Sequence, residues 1–170
     1  MKAVRVLYID LDGTVRKWFD EIWKFVNTLQ DVELFEWVKE ILQNYKKQWW
    51  RIVGITNQWW VALWLLSMQD LQENIAQTQK LSWLSFDKIL ACTHHPEAKE
   101  KEYSVCWCRK PSIWNVVLWA RYLNEIYSNE YYPPNIALFV GDRPEDEQCA
   151  KNANIEFQIA KEWREKPKYI

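Results

Sequence analysis

VRVLYIDLDGT, residues 4–14, decides how the rest of the chain is read. Residues 4–9 are almost continuously apolar and rich in branched or aromatic side chains, the pattern of a buried strand. Asp10 and Asp12 come next, two apart in an extended segment, so their carboxylates can point to one side. Gly13 then lets the chain turn sharply. Two close carboxylates raise one another's pKa unless a cation neutralises them, and Mg²⁺ takes one or two carboxylates together with water and phosphate oxygens. A plain surface turn is the alternative, because Asp and Gly are common turn residues and D-x-D-G also forms part of calcium loops.

Beyond this strand, helical and extended patterns alternate. Leu34, Val38, Ile41, Leu42 and Tyr45 recur at helical spacing and predict a helix over 34–47. RIVGIT at 51–56 reads as a strand, followed by a helix within 60–80, a short strand at 88–92 and an irregular stretch to Cys108. A helix over 112–127, a strand at 136–140, a helix at 144–152 and a last strand at 155–159 complete the pattern. Such alternation predicts an α/β, Rossmann-like, mostly parallel sheet with helices on both faces, with functional residues just after the strands.

At 170 residues the chain is read as one domain, 1–170, without an additional cap: too few residues separate Thr14 from Phe35, and the stretch from Gln58 to Lys110 is taken up by one helix, one strand and a loop. The formal net charge of -1 and the lack of a basic block argue against an electrostatic nucleic-acid binder but leave room for a small anionic substrate. Two aspartates within the first twelve residues do not suit a signal peptide, and no apolar run is long enough to span a membrane. A soluble, cytoplasmic, monomeric protein is expected.

Three further segments follow predicted strands or their loops: Thr56-Asn57-Gln58, Arg109-Lys110-Pro111, and Gly141-Asp142-Arg143-Pro144-Glu145-Asp146. Individually they have plain explanations: Thr56 could end a strand, Lys110 be a solvated lysine, and Asp142 cap a helix. Together with D-L-D-G-T, in this order and over nearly the whole chain, they resemble the four motifs of haloacid dehalogenase-like phosphatases. The resemblance implies a Mg²⁺-dependent phosphomonoester hydrolase. In it, Asp10 would be the nucleophile, Asp12 the acid and then base, and Thr56 and Lys110 the holders of the phosphoryl oxygens. Asp10, the backbone carbonyl of Asp12, and Asp142 would hold the metal, with Asn57 and Gln58 beside the substrate.

Between the second and third motifs, Cys92-Thr93-His94 and Cys106-Trp107-Cys108 offer three thiols and an imidazole from one irregular stretch, 92–108. This is a donor set for a closed, structural Zn²⁺ site. Ordinary reduced core cysteines are the alternative, and that is the reading given to Cys149; His95 is read as a loop histidine. CTHHPEA followed by CWCRKP resembles the loop of D-glycero-D-manno-heptose 1,7-bisphosphate phosphatases and of histidinol-phosphate phosphatases. By that resemblance Arg109 recognises substrate, and Arg143 stands where those enzymes often have lysine. The substrate so implied is a small phosphorylated metabolite, most closely a heptose bisphosphate. Histidinol phosphate and a polynucleotide 3'-phosphate are the alternatives, and a catalytically impaired interaction module is the reading from another class. Variable loops around 15–24 and 59–64 would meet the leaving group.

The chain has 13 Trp and only 3 Gly, where average usage of about 7% would give roughly 12 Gly. Trp37, Trp49, Trp59, Trp60, Trp64, Trp83 and Trp114 stand where the family usually has glycine, at turns or at close approaches to phosphate that a large side chain opposes. A genome reading UGA as glycine, translated with a code that reads it as Trp, would produce this pattern. A genuinely Trp-rich chain that stacks rings on a ligand, or a deliberate redesign, would too. Trp107 and Trp163 fit as true tryptophans.

Overall fold

A computed structural model describes residues 2–17, 28–126 and 129–170. Five strands form one parallel sheet: β2 (Val6–Ile9), β3 (Arg51–Asn57), β4 (Lys88–Cys92), β6 (Leu138–Gly141) and β7 (Glu156–Ile159), in the order β4-β3-β2-β6-β7. Its helices are α1 (Val38–Lys47), α2 (Met68–Leu81), α3 (Trp114–Ile126), α4 (Pro144–Asn152) and α5 (Ala160–Glu165). A separate parallel pair, β1 (Lys2–Ala3) and β5 (Glu130–Tyr131), has too few residues to show periodicity in sequence.

Side-chain alternation along β2 feeds two cores. Leu7 and Ile9 join Ile52, Leu138 and Val140 beneath α1, which contributes Val38, Ile41, Leu42 and Tyr45, and beneath Trp163 of α5. Val6 and Tyr8 join Val53, Ile55 and Phe139 on the other face, covered by Val116 and Trp119 of α3 and by Cys149 and Ala150 of α4. Both faces are therefore apolar, as a parallel sheet between helical layers requires. Trp163 is completely buried, and its indole N–H donates to the Tyr45 hydroxyl at 3.2 Å.

The expected α/β order holds, with shifted boundaries. The first long helix begins at Val38 rather than Leu34, because Leu34 bridges Arg16 while its side chain packs on the core. The second begins at Met68, capped by Ser67, whose hydroxyl accepts from the Asp70 N–H at 3.0 Å. Asp142 is not a helix cap: α4 starts after Arg143, whose N–H donates to the Asp146 carboxylate at 3.0 Å. Residue 127, the expected end of α3, and residues 18–27, which include most of the anticipated 15–24 substrate loop, lie outside the described residues.

Four non-glycine backbones lie in the left-handed region at tryptophan: Trp37 (φ 63), Trp49 (φ 64), Trp64 (φ 63) and Trp83 (φ 55). For a residue with a Cβ this conformation costs roughly 1–2 kcal/mol. No helix among the described residues is long and apolar enough to cross a membrane.

Candidate active site and metal centres

Parallel register brings the expected residues to one edge of the sheet. Ile9 pairs with Gly54 and Val140, so Asp10 leaves β2 beside the ends of β3 and β6. Thr56 and Asn57 pair with Ala91 and Cys92, which sets the second motif beside the cysteine loop. Asp142 comes directly after β6. Ligand sites of open α/β sheets lie at this carboxyl edge.

Lys110, only 3% exposed, reaches into the centre. Its ammonium donates to Asp10 and to the Ile55 carbonyl at 2.7 Å, and pairs with the Asp146 carboxylate at 2.6 Å. Asn57 clips the lysine's backbone: its carbonyl oxygen accepts from the Lys110 N–H at 3.0 Å, and its amide donates to the Lys110 carbonyl at 3.2 Å. Its side chain is thereby turned to Lys110, and Gln58 likewise turns inward, donating to Asp12 at 2.5 Å and to the Thr56 hydroxyl at 2.8 Å. Both residues, read from sequence as lying beside the substrate, here hold other site residues in place.

Asp12 is gripped by a residue that sequence reasoning passed over. Arg16 is buried and donates through Nε to one Asp12 oxygen at 2.6 Å and through Nη2 to the other at 3.1 Å, while Nη1 reaches Thr78 at 3.2 Å. Burial alone would raise the Asp12 carboxyl; the Arg16 ion pair and the Gln58 amide hold it below the usual carboxylate range. Asp10 goes the other way. Burial pushes it well above that range against the pull of Lys110, with Asp146 and Asp12 adding to the rise. Asp142 is raised by burial and then by Asp146.

Asp146 is the second residue not singled out from sequence. Fully buried in the first turn of α4, it accepts from the Arg143 N–H through Oδ2, while Oδ1 faces the Lys110 ammonium as an ion pair and has no hydrogen-bond donor. The two glycines at this edge make room for the aspartates. A Cβ on Gly13 (φ +81) would lie 2.3 Å from an Asp142 oxygen, and one on Gly141 would lie 2.4 Å from the Asp146 Cβ.

Asp10, Asp142 and Asp146 each place an oxygen within 4.8 Å of the others. Asp12 lies outside this set, engaged by Arg16 and Gln58, while the Thr14 hydroxyl sits 3.4 Å from both Asp10 and Asp142. Four carboxylates against two buried cations, Arg16 and Lys110, leave two negative charges, a balance that suits a divalent ion.

Cys92, His94, Cys106 and Cys108 form a second cluster with all ligand atoms within 4.8 Å. The Cys92–Cys106 (3.6 Å), Cys92–His94 Nδ1 (3.7 Å) and Cys108–His94 Nδ1 (3.5 Å) separations match the edges of a tetrahedron, ~3.6–3.8 Å for zinc with sulfur and nitrogen ligands. The Cys92–Cys108 hydrogen bond pushes the Cys108 thiol down and the Cys92 thiol up, so the pair shares a proton and Cys108 is the one that tends to the thiolate, the form that binds metal. Arg109, next in the chain, donates to the His94 carbonyl at 3.2 Å, so the loop and the lysine segment are tied together. His95 stands outside the cluster, and Cys149 is buried with its thiol on the Ser112 carbonyl at 3.3 Å. Arg143 is exposed, 3.6 Å from Asp142.

The chain is 27% identical over 165 residues to the D-glycero-beta-D-manno-heptose-1,7-bisphosphate 7-phosphatase of Escherichia coli K12, an alignment covering 93% of this chain and 79% of that one. A crystal structure of D,D-heptose 1,7-bisphosphate phosphatase from B. bronchiseptica, complexed with magnesium and phosphate, superposes with a TM-score of 0.70 at 22% identity, covering 92% of this chain and 79% of that one. A Mesorhizobium loti protein assigned as a HAD-like phosphatase superposes with a TM-score of 0.78 at 19% identity, covering 91% and 71%. The fold is haloacid dehalogenase-like. No family model matches the chain. Within this haloacid dehalogenase-like frame, three of the four short motifs read from sequence fall at the ends of β2, β3 and β6, and the cysteine loop leads into the remaining one, Arg109-Lys110-Pro111.

Arg16 gives a first test. Arg16→Met frees the Asp12 carboxylate from its two-point grip and is expected, through loss of that position, to lower kcat for phosphate release by about 10²-fold, the scale on which a positioned acid–base group contributes. KM should change little, and Arg16→Lys should recover part of the loss. Circular dichroism of both variants checks that the fold persists.

Proposed function

We propose that the chain is a Mg²⁺-dependent phosphatase that cleaves a phosphomonoester of a small sugar bisphosphate of the heptose class. The observation that carries this reading is the placement of two carboxylates at one strand end: Asp10, bonded by Lys110, and Asp12, held two residues on by Arg16 and Gln58. The names of the curated relatives supply the substrate class.

An Asp10 oxygen attacks phosphorus, a P–O bond forms, and the bond to the ester oxygen breaks. Asp12, which must take up a proton against the pull of Arg16 and Gln58 before this step, gives it to the leaving alkoxide. Water then attacks the aspartyl-phosphate, Asp12 takes the water's proton, and inorganic phosphate leaves with the Asp10 carboxylate restored. Lys110 and Thr56 hold phosphoryl oxygens as charge moves onto them. Asp10, Asp142 and the Asp12 carbonyl would hold Mg²⁺, whose contribution when bound is to neutralise phosphate charge and align the ester. Arg109, fixed through His94 to a zinc-bound loop, would meet the distal part of the substrate, with Arg143 at the rim.

Phosphate release from a panel containing D-glycero-D-manno-heptose 1,7-bisphosphate, histidinol phosphate and a 3'-phosphorylated oligonucleotide, with and without Mg²⁺, tests this. The heptose bisphosphate should give the highest kcat/KM, and only with Mg²⁺. Preference for either of the other two overturns the substrate assignment, and equal rates after metal removal overturn the metal assignment.

A further inference from the structure

Three turns of the chain close with the same pair of backbone hydrogen bonds. After α1, the Trp49 N–H donates to the Lys46 carbonyl at 3.0 Å and the Trp50 N–H to the Tyr45 carbonyl at 3.2 Å. After α2, Trp83 donates to Lys80 at 3.2 Å and Leu84 to Gln79 at 2.8 Å. In the loop after β3, Trp64 donates to Val61 at 3.0 Å and Leu65 to Trp60 at 2.9 Å. Each is the Schellman arrangement, in which the residue donating the shorter-range bond takes the left-handed conformation and is usually glycine. In all three that residue is tryptophan, with φ of 64, 55 and 63.

The molecule contains its own comparison. After α4 the same pair recurs, Asn154 to Lys151 at 3.1 Å and Ile155 to Ala150 at 2.9 Å, with Asn154 at φ 55. Asparagine is the residue other than glycine that tolerates this position. Trp37, immediately before α1, has φ 63 without any such pair. Leu84 and Tyr169 complete the positive-φ residues with side chains among those described.

Packing does not account for these tryptophans. Trp37, Trp49, Trp64 and Trp83 are 69%, 82%, 69% and 59% exposed, whereas Trp50 and Trp163 are 2% and 0% exposed and do not have positive φ. Adjacent Trp49 and Trp50 are the sharpest contrast, one ring in solvent at a left-handed turn and the next in the core. Trp59, Trp60 and Trp114 do not have positive φ, so backbone geometry makes no demand there.

We infer that the fold is built for glycine at Trp37, Trp49, Trp64 and Trp83, and that the protein made in its own cell carries glycine there, from UGA codons. The consequence reaches the candidate site through position 64, which closes the loop running from Gln58 to α2. Nothing in this depends on the proposed activity, so its tests read stability and codons.

Melting of the tryptophan-bearing chain is compared with that of a chain carrying Trp37→Gly, Trp49→Gly, Trp64→Gly and Trp83→Gly together. Relief at four positions should raise Tm by about 10 °C, at a few degrees per relieved residue in a chain of this size. Trp163→Gly, which empties a core position, should lower it. An unchanged or lower Tm for the quadruple variant overturns the inference about the fold. In the gene, UGA at positions 37, 49, 64 and 83 with UGG at 50 and 163 is expected, and UGG at the four overturns the recoding.

Discussion

Replacing Asp10 by asparagine is expected to reduce phosphate release by about 10⁴-fold or more, the scale of loss when a covalent nucleophile is removed. The amide has the same shape but no electron pair of comparable nucleophilicity, and the neighbouring carboxylates are committed elsewhere: in the proposed function Asp142 holds the metal. Asp12 is held by Arg16 and Gln58, and Asp146 is enclosed by Lys110 and the Arg143 N–H. Folding should survive. Lys110 keeps Asp146 and the Ile55 carbonyl as partners, so the buried ammonium is not orphaned. Removal of one buried negative charge from a cluster of four should leave Tm unchanged or slightly raised. Phosphate release and thermal melting, measured on the same preparation, check both halves. Activity retained within about tenfold would move the nucleophile elsewhere.

The second large effect is expected at the cysteine loop. Protein purified without chelator should contain about one zinc per chain, and Cys108→Ser should lose it. Apart from short local turns, little secondary structure supports the stretch between β4 and Lys110, so metal ligation would be its main tie. Structural zinc contributes on the order of 10 kcal/mol in small domains, comparable with the whole stability of a typical domain. Removing it should free the loop, lower Tm by about 10 °C or more and release Arg109 from His94. Activity should fall with it, through KM before kcat, because Arg109 is expected to meet substrate whereas Lys110 is also held by Asn57. Added zinc should restore the chelated wild-type chain and leave Cys108→Ser unrestored. A metal-free chain with unaltered melting would contradict the site.

The parts of the fold and the site legible in the sequence are those governed by local pattern. Strands β2, β3 and β6 announce themselves as apolar runs, and a parallel sheet sets the residues at its strand ends along one edge, which is why Asp10, Thr56 and Asp142 could be singled out. The cluster of three cysteines and a histidine was legible from residue type, since that set on one short stretch has few other uses. Arg16 and Asp146 were not. A lone arginine after a turn reads as surface, and only the fold of residues 11–16 back onto Asp12 buries it. Asp146 reads as an ordinary acidic residue of a helix's first turn, and nothing local reveals that Lys110, distant in sequence, arrives above it. Leu34 extended the apparent helix because its side chain is apolar at helical spacing, while its backbone pairs with Arg16. The six residues of α5 are too few for periodicity, and Ala160 and Trp163 anchor them in the core. Tryptophan content signalled a glycine deficit from composition, but only backbone angles separate Trp49 from Trp50.

Peptide mapping of the chain, acid-quenched during turnover with Mg²⁺ and a substrate labelled in its transferable phosphoryl group, tests the proposed chemistry most directly. Label is predicted on the peptide containing Asp10 and absent from the Asp10→Asn chain; turnover with label on another residue, or with none on the protein, would contradict it.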